Sequence, residues 1–343
     1  MTALLTILLA LFQLGPSSQN ARCFLCHGKK DFGVVGNGKF QSLYVSPKQF
    51  EASIHGKFTC VQCHTDVKVI PHFIRPEKIS CLQCHFEGNT VGAPVKYLPE
   101  MYKYSVHAKA SAAGNPNAPT CETCHTTHYV RSPKDTSSGT YRKNIPQLCG
   151  SCHKKEFEAY SKSIHYRALE NGMLGAAVCT DCHQEHDVLP PSDPRSALSA
   201  EGVVRTCTKC HADTLLMEKA DVPVQQPEAY SESFHGIALE NGMVRAANCT
   251  SCHGHHDILP ASDPNSPINP KNLPKTCGKC HPHADKNVAD GKVHIIPSER
   301  SAGIVFFVYT FFKWFTLAVL IFLFAHIALD LSGFIRRKYS RHE

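Results

Sequence analysis

Two apolar runs lie at the ends of a chain whose interior alternates short apolar and polar stretches. The first run covers residues 2–14 and stops at Gly15 and Pro16. About thirteen residues are too few to cross a bilayer, which predicts a secretory signal peptide over residues 1–21. Because no Lys or Arg precedes the run, the alternative is an N-terminal helix buried in the folded domain.

The second run covers residues 301–335, and its only ionisable side chains are Lys313, His326 and Asp330. It exceeds the ~20 residues that span a hydrocarbon core, so we predict one transmembrane helix. The basic residues that follow predict a cytoplasmic tail at 336–343, with residues 22–300 on the periplasmic side of a bacterial cytoplasmic membrane. His326 is a candidate haem b ligand or quinone-site residue, although a single helix offers no second ligand.

Between the two runs the pattern predicts a mainly α fold with extensive loops. Residues 156–169 and 227–239 have the periodicity of helices, and an Asn-Gly pair after each predicts a C-cap, at 171–172 and 241–242. Stretches rich in Pro, Ser and Asp, such as residues 190–196, predict loops.

All eighteen cysteines belong to nine Cys-x-x-Cys-His pentapeptides. This is the attachment signature of c-type haem, because residues three and four apart on one helical turn share a face and converge on one porphyrin. We therefore predict nine haem c groups. The covalent attachment residues are Cys23, Cys26, Cys60, Cys63, Cys81, Cys84, Cys121, Cys124, Cys149, Cys152, Cys179, Cys182, Cys207, Cys210, Cys249, Cys252, Cys277 and Cys280. The proximal iron ligands are His27, His64, His85, His125, His153, His183, His211, His253 and His281. Zinc ribbons also use Cys-x-x-Cys pairs, but they do not require a histidine after every second cysteine.

The pentapeptides recur with free histidines at fixed positions. A Ser-x-His precedes one pentapeptide, a second histidine follows it, and another pentapeptide comes next, so each copy carries two attachment sites and two free histidines. Four such copies, at about 53–90, 105–155, 163–215 and 233–285, predict a repeat-built array with two histidine ligands on every iron. The predicted distal ligands are His55, His72, His107, His128, His165, His186, His235 and His256.

The site at Cys23 lies outside these copies and needs one more histidine, which His283 or His294 could supply. Which histidine serves which iron stays open, since ligands can cross between copies. Met173 and Met243 are the rival type of axial ligand, but their position is not shared by the earlier copy, so we interpret them as packing residues.

The formal charge of +7 does not indicate a nucleic-acid partner. Nine haems add about eighteen negative propionate charges and about nine positive ferric charges, so the net charge of the oxidised holoprotein is about −2.

The nine pentapeptides and the repeat of Ser-x-His, Cys-x-x-Cys-His and His resemble membrane-anchored multihaem c-type cytochromes of bacterial respiration. Within that group, the four copies and the C-terminal helix resemble the cytochrome c component of inner-membrane quinol-oxidising bc-type complexes. The resemblance implies a b-type cytochrome or another quinol-oxidising membrane subunit as partner, with periplasmic cytochromes or other redox proteins as acceptors. The chain departs from the pattern in having one spanning helix and no haem b histidine set of its own.

We therefore expect an electron carrier and not an enzyme, because irons with two histidine ligands have no open position for a substrate. The alternative is a multihaem reductase or dehydrogenase with one open iron, acting on nitrite, hydroxylamine or a sulfur oxyanion. No Cys-x-x-Cys-Lys variant of the motif is present to mark such an iron.

Overall fold

A computed structural model describes residues 16–36, 38–94, 98–285, 287 and 294–339. The described chain is mostly helical, with short helices joined by long loops and one long helix at the C-terminal end. This confirms the predicted mainly α fold class with extensive loops. The first fifteen residues of the predicted signal peptide lie outside the described residues.

The helices are α1 (Pro16–His27), α2 (Pro47–Glu51), α3 (Cys60–Cys63), α4 (Leu98–Tyr104), α5 (Val106–Ala112), α6 (Cys121–His125), α7 (Ile145–Gly150), α8 (Lys154–Tyr160), α9 (Ile164–Glu170), α10 (Cys179–His183), α11 (Ala200–His211), α12 (Thr214–Ala220), α13 (Gln226–Ser231), α14 (Phe234–Glu240), α15 (Cys249–His253), α16 (Leu273–Cys277) and α17 (Ile304–Tyr339). Short 3₁₀ turns occur at Cys81–Gln83, Arg142–Asn144 and Arg300–Ala302. Strands β1 (Gly33–Gly36) and β2 (Lys39–Ser42) pair as an antiparallel hairpin, with Val35 opposite Phe40.

The chain divides into two compact units. The first contains residues 1–202 and 255–259, and the second contains residues 203–254 and 260–343. In the first unit a small apolar cluster forms around Leu169, Ala176 and Val178, against which Ile145 and Met173 pack. The buried apolar side chains of the second unit include Val203, Ala229 and Leu239. Met173 is thus a packing residue, as predicted, whereas Met243 is exposed.

A recurring serine divides each of the two predicted helices in the repeats. Residues 156–169 form parts of α8 and α9, separated at Ser163, and residues 227–239 form parts of α13 and α14, separated at Ser233. Each serine has extended backbone, and its hydroxyl accepts the N–H of the residue three further on, at 3.1 Å for Ser163 and 3.2 Å for Ser233. Ser105 caps α5 in the same way at 3.0 Å. The prediction of continuous helices was wrong because these serines act as N-caps of new helices.

The predicted C-caps and loops are confirmed. Asn171 and Asn241 are the C-cap residues of α9 and α14, and the glycines that follow have left-handed backbone, with φ of 91° at Gly172 and 86° at Gly242. Only glycine adopts this conformation without a steric penalty. The segment around Asp193 is a loop whose carboxylate accepts the N–H of Arg195 at 2.9 Å.

The C-terminal helix α17 is long and apolar enough to cross a membrane, and the 34 residues from Ile304 to Arg337 form the candidate span. None of this span is buried within the chain. Along it, Lys313 Nζ lies 5.9 Å from the ring centroid of Tyr309, and His326 Nδ1 lies 3.3 Å from Asp330 Oδ2. The helix is compatible with a single-pass anchor.

Asn20, which lies within the predicted signal peptide, packs against the described part of the chain. Asn20, on α1, is only 2% exposed. Its amide nitrogen donates to Phe58 O at 3.1 Å, and its side-chain oxygen accepts the N–H of Cys60 at 2.8 Å. These bonds connect α1 to the start of α3.

We expect Ser163→Ala to lower the free energy of unfolding by about 1 kcal/mol, because the substitution removes the N-cap of α9. Denaturant titration of the detergent-solubilised holoprotein measures this loss. Ser192→Ala, in an exposed loop, is the control and should change stability by less than about 0.5 kcal/mol. Equal losses in the two variants would contradict the capping role.

Candidate haem-binding sites

Four of the attachment pentapeptides start a short helix at their first cysteine: α3, α6, α10 and α15. In each, the polar side chain before the second cysteine bonds back to the N–H of the residue before the first. The donors and acceptors are Thr59 N and Gln62 Oε1 (2.6 Å), Thr120 N and Thr123 Oγ1 (3.0 Å), Val178 N and Asp181 Oδ2 (2.7 Å), and Asn248 N and Ser251 Oγ (3.1 Å). This bond fixes the helical turn on which the two thiols and the histidine are carried.

A left-handed residue follows the attachment histidine in three of these sites. Thr126, Gln184 and Gly254 have φ of 65°, 64° and 76°. A threonine or glutamine in this region costs conformational energy, so the surrounding contacts must hold it there. The turn reverses the chain immediately before the free histidines His128, His186 and His256, each two residues further on.

Imidazole rings lie opposite each other in eight pairs, and each pair joins one attachment histidine to one free histidine. Their ring centroids are 5.8–6.3 Å apart. The pairs are His27–His72, His55–His85, His64–His128, His107–His153, His125–His186, His183–His256, His235–His281 and His253–His294.

This spacing fits a haem iron between the two rings. An iron binds each of two imidazole nitrogens at about 2 Å, and each nitrogen lies about 1.1 Å from its ring centroid, which separates the centroids by about 6.2 Å. The same separation recurs in all eight pairs although the angle between the ring planes varies from 6° to 61°, as expected for rings positioned by a common central atom. The arrangement of donors therefore fits axial ligation from both sides.

The pairs follow one rule along the chain. The histidine of Ser-x-His faces the second attachment histidine of its own copy, as His107 faces His153. The second free histidine faces an attachment histidine before its own copy, as His128 faces His64 and His186 faces His125. By the same shift His72 faces His27, so the site at Cys23 is completed by the first copy.

The structure distinguishes the two candidates for the remaining ligand. His294 faces His253 at 6.2 Å, and its Nδ1 lies 3.0 Å from Gln226 O. His283 lies on a turn with φ of 70°, and among the described residues no ring lies against it. Among the described residues neither of them faces His27; the ring that faces His27 is that of His72. His165, the second residue of α9, and His211, the last of α11, are the remaining predicted ligands.

The same shift appears in the backbone of the first unit. Ile54 N donates to Val130 O at 2.9 Å, Val106 N to Val188 O at 2.9 Å, and Ile164 N to Ile258 O at 2.8 Å. Each donor follows the serine of a Ser-x-His (Ser53, Ser105 or Ser163), and each acceptor lies two residues after the free histidine of the next copy. These bonds hold the second free histidine against the preceding copy.

A tyrosine three residues before each capping serine was not recognised from the sequence. The hydroxyls of Tyr102, Tyr160 and Tyr230 donate to the carbonyls of Pro119, Ala177 and Ala247 at 2.7, 2.7 and 2.8 Å. Each acceptor lies two residues before the first cysteine of a pentapeptide. Burial raises the pKa of all three tyrosines, to about 12 for Tyr230, so they stay protonated donors. The recurring Tyr-x-x-Ser-x-His is the sequence pattern that could have revealed these tyrosines.

Burial favours the neutral form of several facing imidazoles. It lowers the pKa of His125, His128, His183 and His253 below the usual value, and a nearby imidazole adds to the effect in each case. A neutral ring has the free nitrogen lone pair that binds iron, whereas a protonated ring has none.

Consecutive attachment sites are neighbours in space within each unit. Burial and the neighbouring Cys23 thiol raise the pKa of Cys60 to about 12. A hydrogen bond from Cys81 lowers the pKa of Cys121 to about 6. A hydrogen bond from Cys179 lowers the pKa of Cys149 to about 7. In the second unit the Cys207 thiol similarly lowers the pKa of Cys249. The second cysteines of three sites continue the series. Burial raises the pKa of Cys63, Cys124 and Cys252, and the neighbouring thiols of Cys84, Cys149 and Cys277, respectively, raise it further.

A family model described as a doubled CXXCH motif matches residues 114–158. No curated protein and no solved structure shows significant similarity to the chain. The matched segment contains the pentapeptides at Cys121 and Cys149. The motif indicates a haem-binding cytochrome c, a class suited to electron transfer, with covalently attached haem.

Proposed function

We propose that the chain is a membrane-anchored nonahaem cytochrome c that carries electrons from the membrane quinol pool to periplasmic acceptors. The observation that carries the proposal is the set of eight imidazole pairs at 5.8–6.3 Å. At these eight sites two imidazoles would fill both axial positions of the iron, which suits electron transfer and leaves no position there for a substrate. The bound haems would supply one-electron chemistry, and the chain would hold their irons and set the order of the sites.

The order of the sites supports a role as a conductor. Thioether bonds form at the haem edge, so thiols of consecutive sites that lie together bring consecutive haem edges together. The contacts run from the Cys23 site to the Cys179 site in the first unit and from the Cys207 site to the Cys277 site in the second. We propose that the nine haems are arranged as repeats in sequence order.

The membrane end of the path is proposed to be the haem at Cys277. Its attachment site precedes α17 by about twenty-five residues, and both belong to the second unit. Because the anchor carries only one histidine, His326, we propose that a separate b-type cytochrome or another quinol-oxidising membrane subunit passes electrons to this haem. Helix α17 then places the haem domain on the periplasmic face of the bacterial inner membrane.

The haem content and spin state test the proposal in one preparation. Full-length protein purified from membranes in mild detergent should carry nine covalent haems by intact mass and pyridine haemochrome, with low-spin ferric signals alone by electron paramagnetic resonance. A stoichiometric high-spin signal would favour an enzyme with an open iron. A mixed b and c spectrum in the undissociated membrane complex is expected from the proposed partner, and a pure c spectrum would count against it.

His294→Ala should convert about one ninth of the iron from low spin to high spin, because the iron at Cys249 loses its second ligand. The matched control is His283→Ala, which lies eleven positions away and faces no ring among the described residues. We expect the control to keep every iron low-spin in the same resonance experiment. If His283→Ala produced the high-spin iron and His294→Ala did not, then His283 would be the iron ligand and His294 would not.

A further inference from the structure

An ion pair joins the second copy of the repeat to an attachment site of the third. Arg142 lies on the 3₁₀ turn seven residues before Cys149, and Asp181 lies between the two cysteines of the site at Cys179. The guanidinium of Arg142 donates from Nη1 to Asp181 Oδ1 at 3.1 Å and from Nη2 to Oδ2 at 2.7 Å. Two parallel bonds of this kind fix the orientation of both groups as well as their distance.

The pair is anchored on the backbone just before Cys179. Arg142 Nη2 also donates to Ala176 O at 2.8 Å, and Asp181 Oδ2 accepts the N–H of Val178 at 2.7 Å. Ala176 and Val178 belong to the apolar cluster of the first unit, and the side chains of Arg142 and Asp181 are each 32% exposed. Any group attached beside the pair covers it further, so water screens these two charges only in part.

Carboxylates are rare between the two cysteines of the nine pentapeptides. Only Glu122 and Asp181 occupy such positions. Glu122 is also paired with a cation of the preceding copy, since Lys78 Nζ lies 2.8 Å from its Oε1. Attachment alone does not require a carboxylate, because the other seven pentapeptides have none. Each carboxylate within an attachment turn is thus neutralised by the copy before it, which indicates that charge is balanced at these positions.

The carboxylate of Asp181 is close in sequence to the iron ligand of its site, two residues before His183. Reduction of a ferric haem adds one electron without transfer of a bond or proton, so a nearby negative charge opposes it and a positive charge favours it. One unpaired charge about 10 Å from a partly buried iron changes the ratio of reduced to oxidised haem by about tenfold at a fixed potential. The bound guanidinium of Arg142 cancels most of this effect.

We propose that Arg142 and Asp181 together set the reduction potential of the haem at Cys179, with Arg142 as the positioning residue that cancels the carboxylate charge. The two sites meet at this pair, since the thiols of Cys149 and Cys179 also bond to each other. The pair then fixes the driving force for electron transfer between the haems at Cys149 and Cys179. This inference rests on the proposed function, because it requires a haem at each of these sites.

Redox titration of the full-length holoprotein, followed by the low-spin ferric resonance, tests the pair. In Arg142→Gln the charge of Asp181 is unpaired, so the ratio of reduced to oxidised haem at Cys179 should fall by about tenfold at a fixed potential. In Asp181→Asn the charge of Arg142 is unpaired, and the ratio should rise by about tenfold. Both shifts concern about one ninth of the iron. The double variant removes both charges and should stay within about threefold of the wild type.

The sign of the shift separates a charge effect from a structural one, because both single variants lose the same hydrogen bonds. Arg142→Lys keeps the positive charge and should stay within about threefold of the wild type. Arg195→Gln is the matched control, since Arg195 Nη2 lies 2.7 Å from Asp193 Oδ2 in an ion pair outside every pentapeptide. We expect the control to change the ratio by less than about twofold.

The proposal is overturned by single variants that shift the potential in the same direction, or that both stay within about twofold of the wild type. A shift in Arg195→Gln as large as that in Arg142→Gln overturns it as well. Loss of the haem at Cys179 from Arg142→Gln, measured by intact mass, has the same consequence, because the pair would then serve attachment. Failure of the proposed function is separate, since the unmodified protein would then lack haems or contain high-spin iron before any titration.

Discussion

The distance between facing imidazoles is the constraint on which the rest of the architecture depends. Apolar clusters are small, and the largest one described contains three buried residues. In the proposed holoprotein only about 31 residues surround each haem, too few for an ordinary apolar core. The porphyrins then take the place of the core, and each iron joins two parts of the chain through its axial ligands. The capping serines, the tyrosine hydroxyls and the left-handed residues all serve to hold one imidazole at the right separation from another.

The sequence showed the chemistry of the sites more completely than their connectivity. Cys-x-x-Cys-His and Ser-x-His are local patterns, and their short-range geometry followed from helical spacing and from C-cap glycines such as Gly172. The break at Ser163 was missed because apolar periodicity continues across it, and only the hydrogen bond to Tyr166 N shows that a new helix starts. The pairing of His128 with His64 joins residues 64 positions apart, and no local pattern encodes such a contact.

The proposed membrane span poses a different energetic problem. His326 and Asp330 lie 3.3 Å apart on α17, with side chains 64% and 77% exposed. A charged side chain at the centre of a bilayer costs about 2.5–3.5 kcal/mol by insertion measurements, and an ionisable pair elsewhere in the span carries part of that cost, which pairing lowers further. A protein surface that covers this face removes the remaining penalty. The proposed membrane subunit therefore has an energetic role as well as an electron-transfer role.

The shifted pairing also explains why the two ends of the array differ from its middle. Each interior copy gives its second free histidine to the preceding copy and receives one from the next. In a series of such copies, the first copy therefore has a free histidine without an attachment histidine to face, and the last copy has an attachment histidine without a free one. The Cys23 pentapeptide fills the first, since His27 faces His72, and His294 fills the last, since it faces His253. An extra attachment site at one end and an extra histidine at the other are thus the two additions that a shifted array of four copies requires. Neither addition follows from counting motifs, because the count is the same whether the ligands stay within a copy or cross to its neighbour.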